Sequence, residues 1–306
     1  AASSIQNAAL RTDQEKMVIQ QEAAQRAGKN NGATSVGSYD LNILFSTAGA
    51  KRILLWTGFA DTSFGGELEN TMNAIKQYVP DASFERTATS SASEFAARLA
   101  ASDIFIMPEQ ELIPNLSSLG ATFTPALTSF IQNGKTMIVL DHIELGATTF
   151  LRGTGLLDIS VLSAYEFTAV VHDPASPLVK DLPSTFYAMN GSNYHSSSNG
   201  KKIVREQNSS YNMVTQRDIG AGRVIYIGMD FYSYNNDMAR LLANAVVSSI
   251  APFVSTTPAS GVVAPAGSQE IAVTFSARNL QGGEYRNSIT INNNDPLRNP
   301  KKLSVV

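Results

Sequence analysis

Three stretches constrain this chain more than anything else in it: "KRILLWTGF" from 51, "SDIFIMPEQE" from 102 and "KTMIVLD" from 135. Each holds an apolar run without alternation. A strand that is apolar on successive residues is stable only where both of its faces are covered. The segments between them supply the cover. "ELENTMNAIKQYV" places Leu68, Met72, Ile75 and Tyr78 or Val79 at helical spacing, and "SASEFAARLA" and "FTPALTSFIQNG" also read as helices. Strands alternating with helices require a parallel sheet, and right-handed crossovers bring all its carboxyl ends to one edge. That edge collects residues 58–66, 108–111 and 141–144, where open α/β sheets bind ligands. The expected fold is α/β, a flavodoxin-like, mostly parallel sheet with helices on both faces, over residues 47–250.

From 157 the pattern turns to β-rich text, with residues 220–222 as a hairpin turn and a closing helix capped by Asn235 or Asn236. Residues 251–306 show no helical period. Alternating "GSQEIAVTFSA" and "GEYRNSITINNND", joined by Pro-, Gly- and Asn-rich turns, predict a small all-β sandwich module. Two or three strands cannot form a sandwich alone, so this module is expected to be incomplete or completed by other strands. Residues 1–28, rich in Ala, Gln and Glu, predict a helix, and "YDLNILFS" after a linker predicts a strand, giving an N-terminal region of 1–46.

The 306 residues are 43% hydrophobic and 16% charged, with a formal net charge of -3. That balance suits a globular protein and not a nucleic-acid or anionic-membrane partner, which would select a dense Lys/Arg surface. Apolar runs are strand-sized, so membrane insertion is not expected. Cysteine is absent, which removes disulfides, thiolate metal sites and cysteine nucleophiles together. Richness in Ser, Thr, Asn and Gly with little Lys fits secreted bacterial surface modules. A start at Ala1 and an end inside a strand-like "KKLSVV" suggest a piece of a longer polypeptide.

Across 51–250, the order of these segments, with "NGKTMIVLDH" and "GAGRVIYIGMD", resembles the class I glutamine amidotransferase-like fold, closest to its trehalose-utilisation and β-galactosidase-trimerisation types. The tail carries Pro258-x-Ser260-Gly261, "VTF", Gly283-x-Tyr285 and Asn294-Asp295-Pro296. It resembles the immunoglobulin-like repeat of the ASPM, SPD-2 and hydin type. The first resemblance implies a catalytic Cys on an elbow after "TMIVL" and a downstream His. This chain has Asp141-His142-Ile143 at the elbow, and Asp230 and Tyr232 where the His belongs. Neither Asp nor His forms the thioester of glutamine hydrolysis, so no catalytic residue is assigned.

The remaining candidates are Glu109, Asp141, His142, Glu144 and Asp230, all expected at strand ends on one edge. Functionally, His142 is a base oriented by Glu109 or Asp230, or the group holds a ligand or divalent metal. Structurally, carboxylates satisfy loop amides and helix N-termini. Gly65 and Gly66 in "GFADTSFGGELEN" form a candidate anion-binding loop, opposed by Asp61 and Glu67. His172 and His195 sit in no zinc spacing, and no G-x-S-x-G occurs. No metal motif or cofactor is assigned. The expected function is a non-catalytic structural or adhesive segment of a large exported bacterial surface or fibre-forming protein, with other copies or neighbouring domains as partners. The alternative is a carbohydrate- or metal-binding module, or a hydrolase, using the crevice around Glu109, His142 and Asp230.

Overall fold

The computed structural model describes residues 15–20, 37–45, 52–143, 145–248, 254–258, 260–263, 268–275, 287–293 and 301–305. In chain order the elements are β1 (Glu15–Gln20), β2 (Gly37–Phe45), β3 (Arg52–Trp56), α1 (Glu67–Lys76), β4 (Ser83–Thr87), α2 (Ala92–Ala100) and β5 (Ile104–Met107). Then come α3 (Ser117–Gln132), β6 (Thr136–Leu140), α4 (Gly146–Thr154), β7 (Ser160–Val171), β8 (Thr185–Ser196), β9 (Lys201–Glu206), β10 (Asn212–Ile219) and β11 (Gly222–Ile227). The chain continues with α5 (Asn236–Val247), β12 (Val254–Thr257), β13 (Ser260–Val263), β14 (Ser268–Phe275), β15 (Asn287–Asn293) and β16 (Lys301–Val305). They fall into two units, one of Ala50–Ala251 and one of Ala1–Gly49 together with Pro252–Val306.

The larger unit is built on a nine-stranded sheet in the order β4-β3-β5-β6-β11-β10-β8-β7-β9. The flavodoxin-like, mostly parallel sheet expected from the sequence is not what forms. β4, β3, β5, β6 and β11 are mutually parallel, but β10, β8, β7 and β9 pair antiparallel, and β9 also folds back onto β10. The reason is local. The turn at Gly220, whose φ of 62° suits glycine, joins β10 to β11 as a hairpin, with Ile219 opposite Gly222. The twelve-residue strands β7 and β8 then continue the antiparallel half.

Strand residues alternate between two cores because successive side chains leave a strand on opposite faces. From β3, Ile53 and Leu55 join Leu68 and Ile75 of α1 and Leu241 and Leu242 of α5. Leu54 and Trp56 join Phe95 and Leu99 of α2, Phe123 and Leu127 of α3 and Phe150 of α4. Each fully buried Leu, Ile or Phe contributes about 1.5–3 kcal/mol, which holds the strand ends in a fixed frame. Helix starts are written into the sequence: Ser91 caps α2 by accepting from Glu94 N, and Asn235 caps α5 by accepting from the amides of Asp237 and Met238.

The smaller unit contains a three-stranded sheet, β1-β14-β12, and a four-stranded sheet, β13-β2-β15-β16, with all pairings antiparallel. Val263 and Ile291 from one sheet and Ile271 and Val273 from the other are buried. Glu15–Gln20 is a strand paired with β14, in place of the expected helix; the rest of 1–28 lies outside the described residues. "MVI" at 17–19 resists a short solitary helix, which is marginal in water, while pairing with β14 supplies a ladder. Strands from both ends of the chain therefore build this unit, and the larger unit is inserted between them in sequence.

Candidate functional site

Four neighbouring parallel strands, β3, β5, β6 and β11, end on one edge and deliver acidic residues there. Glu67 opens α1 after β3, Glu109 follows β5, Asp141 and His142 follow β6, and Asp230 follows β11. One donor atom from each of Glu109, Asp141 and His142 falls within a 4.8 Å cluster, and the same holds for Glu67, Glu109 and Asp230. Glu109 belongs to both groups. The structure thus brings together four of the five residues expected from the sequence; Glu144 lies outside the described residues. It adds Glu67, whose carboxylate had been weighed only as an obstacle to phosphate.

The frame around these residues is rigid. Gln110 is fully buried and ties three segments: its Oε1 accepts from Phe59 N, and its Nε2 donates to the carbonyls of Trp56 and Pro108 at 2.9–3.0 Å. Gly191, at φ 86°, lets β8 pass Asp230, since a Cβ there would lie 2.1 Å from Asp230 Oδ2. Asp230 Oδ1 accepts from Tyr232 N at 2.6 Å.

Asp141 occupies the elbow and acts as a cap. Its Oδ2 accepts from Thr148 N at 2.5 Å and its Oδ1 from His142 N at 3.1 Å, satisfying an amide in the first turn of α4. Burial pushes its carboxyl up to about 7, against the pull of the Thr148 and His142 hydrogen bonds.

Glu109 is arranged differently. It is 4% exposed, its Oε1 contacts His142 Nδ1 as an ion pair, and neither carboxylate oxygen receives a hydrogen bond. Glu67, also 4% exposed, leaves Oε2 without a hydrogen-bond partner. Burial, then the charges of Asp230 and Glu111, push Glu67 up to about 9. Burial holds the His142 imidazole below its ordinary value, while Asp230 acts in the opposite direction. Among the described residues, the Lys and Arg ion pairs, such as Arg52–Asp103, Lys135–Asp103 and Arg98–Glu85, involve none of these carboxylates. Crowded carboxyls of this kind either retain protons or share a cation.

Beneath Asp141 lies a second polar cluster that sequence reasoning missed. The Asp141 carbonyl can only accept, so it receives Asn193 Nδ2 at 2.8 Å and fixes that amide's orientation. Asn193 Oδ1 then faces His195 Nδ1 at 3.0 Å, so the proton sits on Nδ1. His195 Nε2 accepts from the Thr215 hydroxyl at 2.8 Å, whose oxygen accepts in turn from Asn212 Nδ2. Asn193 Nδ2 also donates to the Tyr226 hydroxyl, which bonds Thr148 Oγ1, both at 3.0 Å. Burial drives His195 down to about 3, and burial with the Asp141 charge raises Tyr226. "NYHSSS" offered no motif for this network, because only the fold sets β8 beside β11's neighbour β10.

The glycine loop also has a definite arrangement. Gly65 N donates to Glu69 Oε2 at 2.8 Å and Gly66 N to Ser63 O at 3.1 Å. Both amides are therefore engaged within the loop, close to the acidic group. Phe64 is 98% exposed and Tyr232 67% exposed, so neither is packed against the acidic group. With Leu112 and Ile143, also exposed, they set apolar tips on the loops after β3, β5, β6 and β11. Asn70 Nδ2 bridges two of those loops through Gly65 O and Tyr232 O.

Comparison with known proteins gives one family match: the HYDIN/CFA65/VesB-like, Ig-like domain, over residues 229–306. The match begins within the larger unit, and its later part covers β12 to β16; it supports an immunoglobulin-like module in this part of the chain. No curated protein matches. Among solved structures, the chain is similar to a ThuA-like protein from Bacteroides uniformis at 14% identity, covering 66% of this chain and 94% of that one, with a TM-score of 0.48. A ThuA-like protein from Parabacteroides merdae matches at 12% identity, covering 65% and 90%, with a TM-score of 0.46. The β-galactosidase of Bacillus circulans sp. alkalophilus matches at 14% identity, covering 79% of this chain but 35% of that one, with a TM-score of 0.42. At this level the similarities say nothing about activity.

Proposed function

We propose that this chain is a structural and interaction segment of a large exported bacterial polypeptide, in which the larger unit presents its strand-end edge to another copy of the chain. An immunoglobulin-like module fits a structural or interaction role. The observation that carries the reading further is the set of four apolar tips, Phe64, Leu112, Ile143 and Tyr232, exposed together on one edge. Apolar side chains clustered on adjoining loops mark interaction surfaces more often than isolated ones do. The composition rich in Ser, Thr, Asn and Gly supports export. The elbow supports a non-catalytic role, because Asp141 spends both carboxylate oxygens on backbone amides.

Light scattering across a concentration series tests the assembly. Association is expected to appear at high concentration and to weaken in a Phe64→Ser, Tyr232→Ser double variant. A chain that stays monomeric at every concentration overturns self-association. Recovery of the native protein in the cytosolic fraction of its source cells overturns export.

A further inference from the structure

We propose that Glu67, Glu109, His142 and Asp230 form a binding site for one divalent transition cation, with Asp141 as a positioning residue. The site stands independently of the assembly reading above. Its donors come from loops after four adjacent strands, so the fold converges them without any help from sequence spacing. The donor atoms of Glu67, Glu109 and Asp230 all lie within 4.8 Å of one another, and Glu109 Oε1 also contacts His142 Nδ1. Ligands on opposite sides of a cation at about 2.0–2.2 Å lie about 4–4.4 Å apart, so these groups need only small movements to close on an ion.

The second observation is independent of acidity. Glu109 and Glu67 are each 4% exposed, and the Oε2 atom of each receives no hydrogen bond, while Glu109 Oε1 touches His142 Nδ1. Buried polar atoms are normally satisfied, and an orphaned carboxylate costs more than a neutral group. Two such oxygens gathered at one strand-end edge, where no Lys or Arg ion pair among the described residues involves them, leave a cation or shared protons as compensation. Three carboxylates with one imidazole match a cation that accepts mixed oxygen and nitrogen ligands. Calcium prefers all-oxygen cages, whereas Mn2+ and Zn2+ accept the mixture. Asp141 is excluded as a primary ligand because its oxygens are already engaged with backbone amides; it holds His142 in place through the His142 amide.

The test uses the full 306-residue chain, stripped with chelator and titrated with Mn2+ alone, followed by calorimetry and electron paramagnetic resonance. Saturable binding of one Mn2+ per chain is expected, with a rise in Tm and a nitrogen coupling in the spectrum that His142→Gln removes. Glu109→Gln is expected to weaken binding by at least about tenfold, while Glu94→Gln, remote from the crevice, leaves it unchanged. If Glu109→Gln fails to fold by circular dichroism, Asp230→Asn takes its place, since Asn keeps an acceptor for Tyr232 N. No saturable binding of Mn2+ or Zn2+ by the wild-type chain, or unchanged binding in the folded Glu109→Gln or Asp230→Asn variant, overturns the proposal and leaves the cluster as a proton-sharing group.

Discussion

Two buried polar clusters meet at Asp141, and they are built differently. Below it, Asn193, His195, Thr215, Tyr226 and Thr148 form a chain in which each donor finds an acceptor. Above it, Glu67, Glu109 and Asp230 crowd one another with carboxylate oxygens left unpaired. Both are buried, the lower one completely and the upper one to 4–9% exposure. The first is what structural necessity looks like: a directional network that joins β8, β10 and β11 and needs nothing from outside. The second is held in place by its frame while lacking its own compensation, which is the condition of a site that waits for a partner. The difference teaches that burial alone does not separate scaffold from function; the tally of satisfied atoms does.

Removing a link from the satisfied network is the harshest way to break this contrast. Asn193→Ala leaves the Asp141 carbonyl, the Tyr226 hydroxyl and His195 Nδ1 short of partners, and is expected to cost about 3–4 kcal/mol in urea unfolding. A loss under about 1 kcal/mol would mean that water replaces the amide, and the two clusters would then not differ in kind.

Acid titration comes next. His195 sits at about 3 in the fold against 6.5 for an ordinary imidazole. Below 6.5 the unfolded chain takes up a proton that the folded chain refuses, so stability is complete above 6.5 and falls as pH drops toward 3. The slope from this group is at most about 1.4 kcal/mol per pH unit. His195→Gln should flatten the difference between stabilities measured at neutral and mildly acidic pH, and an unchanged slope would refute the assignment.

The unsatisfied cluster predicts a gain instead of a loss. Glu67 lies at about 9 against an ordinary 4.5, so the folded form favours the protonated carboxyl. That stability is complete below 4.5 and is lost as pH rises toward 9. In metal-free protein at mildly alkaline pH, Glu67→Gln is expected to stabilise by about 1 kcal/mol. Destabilisation would show that Glu67 is a structural partner after all. The smallest effect belongs to the exposed Arg98–Glu94 pair: Glu94→Gln should leave the urea midpoint unchanged within error, because solvent screens an exposed pair, giving the background against which the other changes are read.

How much of this was legible varies by residue. "ILLW", "IFIM" and "TMIVL" announced doubly covered strands, because a parallel strand buried on both faces is apolar throughout. Asn235 announced a helix start, because a cap is a local hydrogen bond. Glu109, Asp141, His142 and Asp230 could be grouped because each follows such a strand. Glu67 could not be grouped so readily: it stands on a helix, and the Gly-rich loop before it drew attention to anions. His195 stayed hidden because its partners lie on other strands, at Asn212 and Thr215 of β10 and through Asn193 on Tyr226 of β11. The mostly parallel sheet was a wrong extrapolation from the first half, since period-two text carries no information about the direction in which a strand will pair.

By itself, then, the sequence determined what is local or one-dimensional. Apolar runs specify which segments are buried, caps and turn glycines specify where helices and hairpins begin, and the missing thiol excludes an amidotransferase elbow. Only the tertiary structure decided strand direction, the recruitment of β1 and β2 into the smaller unit, and the meeting of Glu67 with Glu109 and Asp230. Those outcomes depend on contacts between residues far apart in the chain, and a pairing energy shared across such distances leaves no mark on the spacing within either partner.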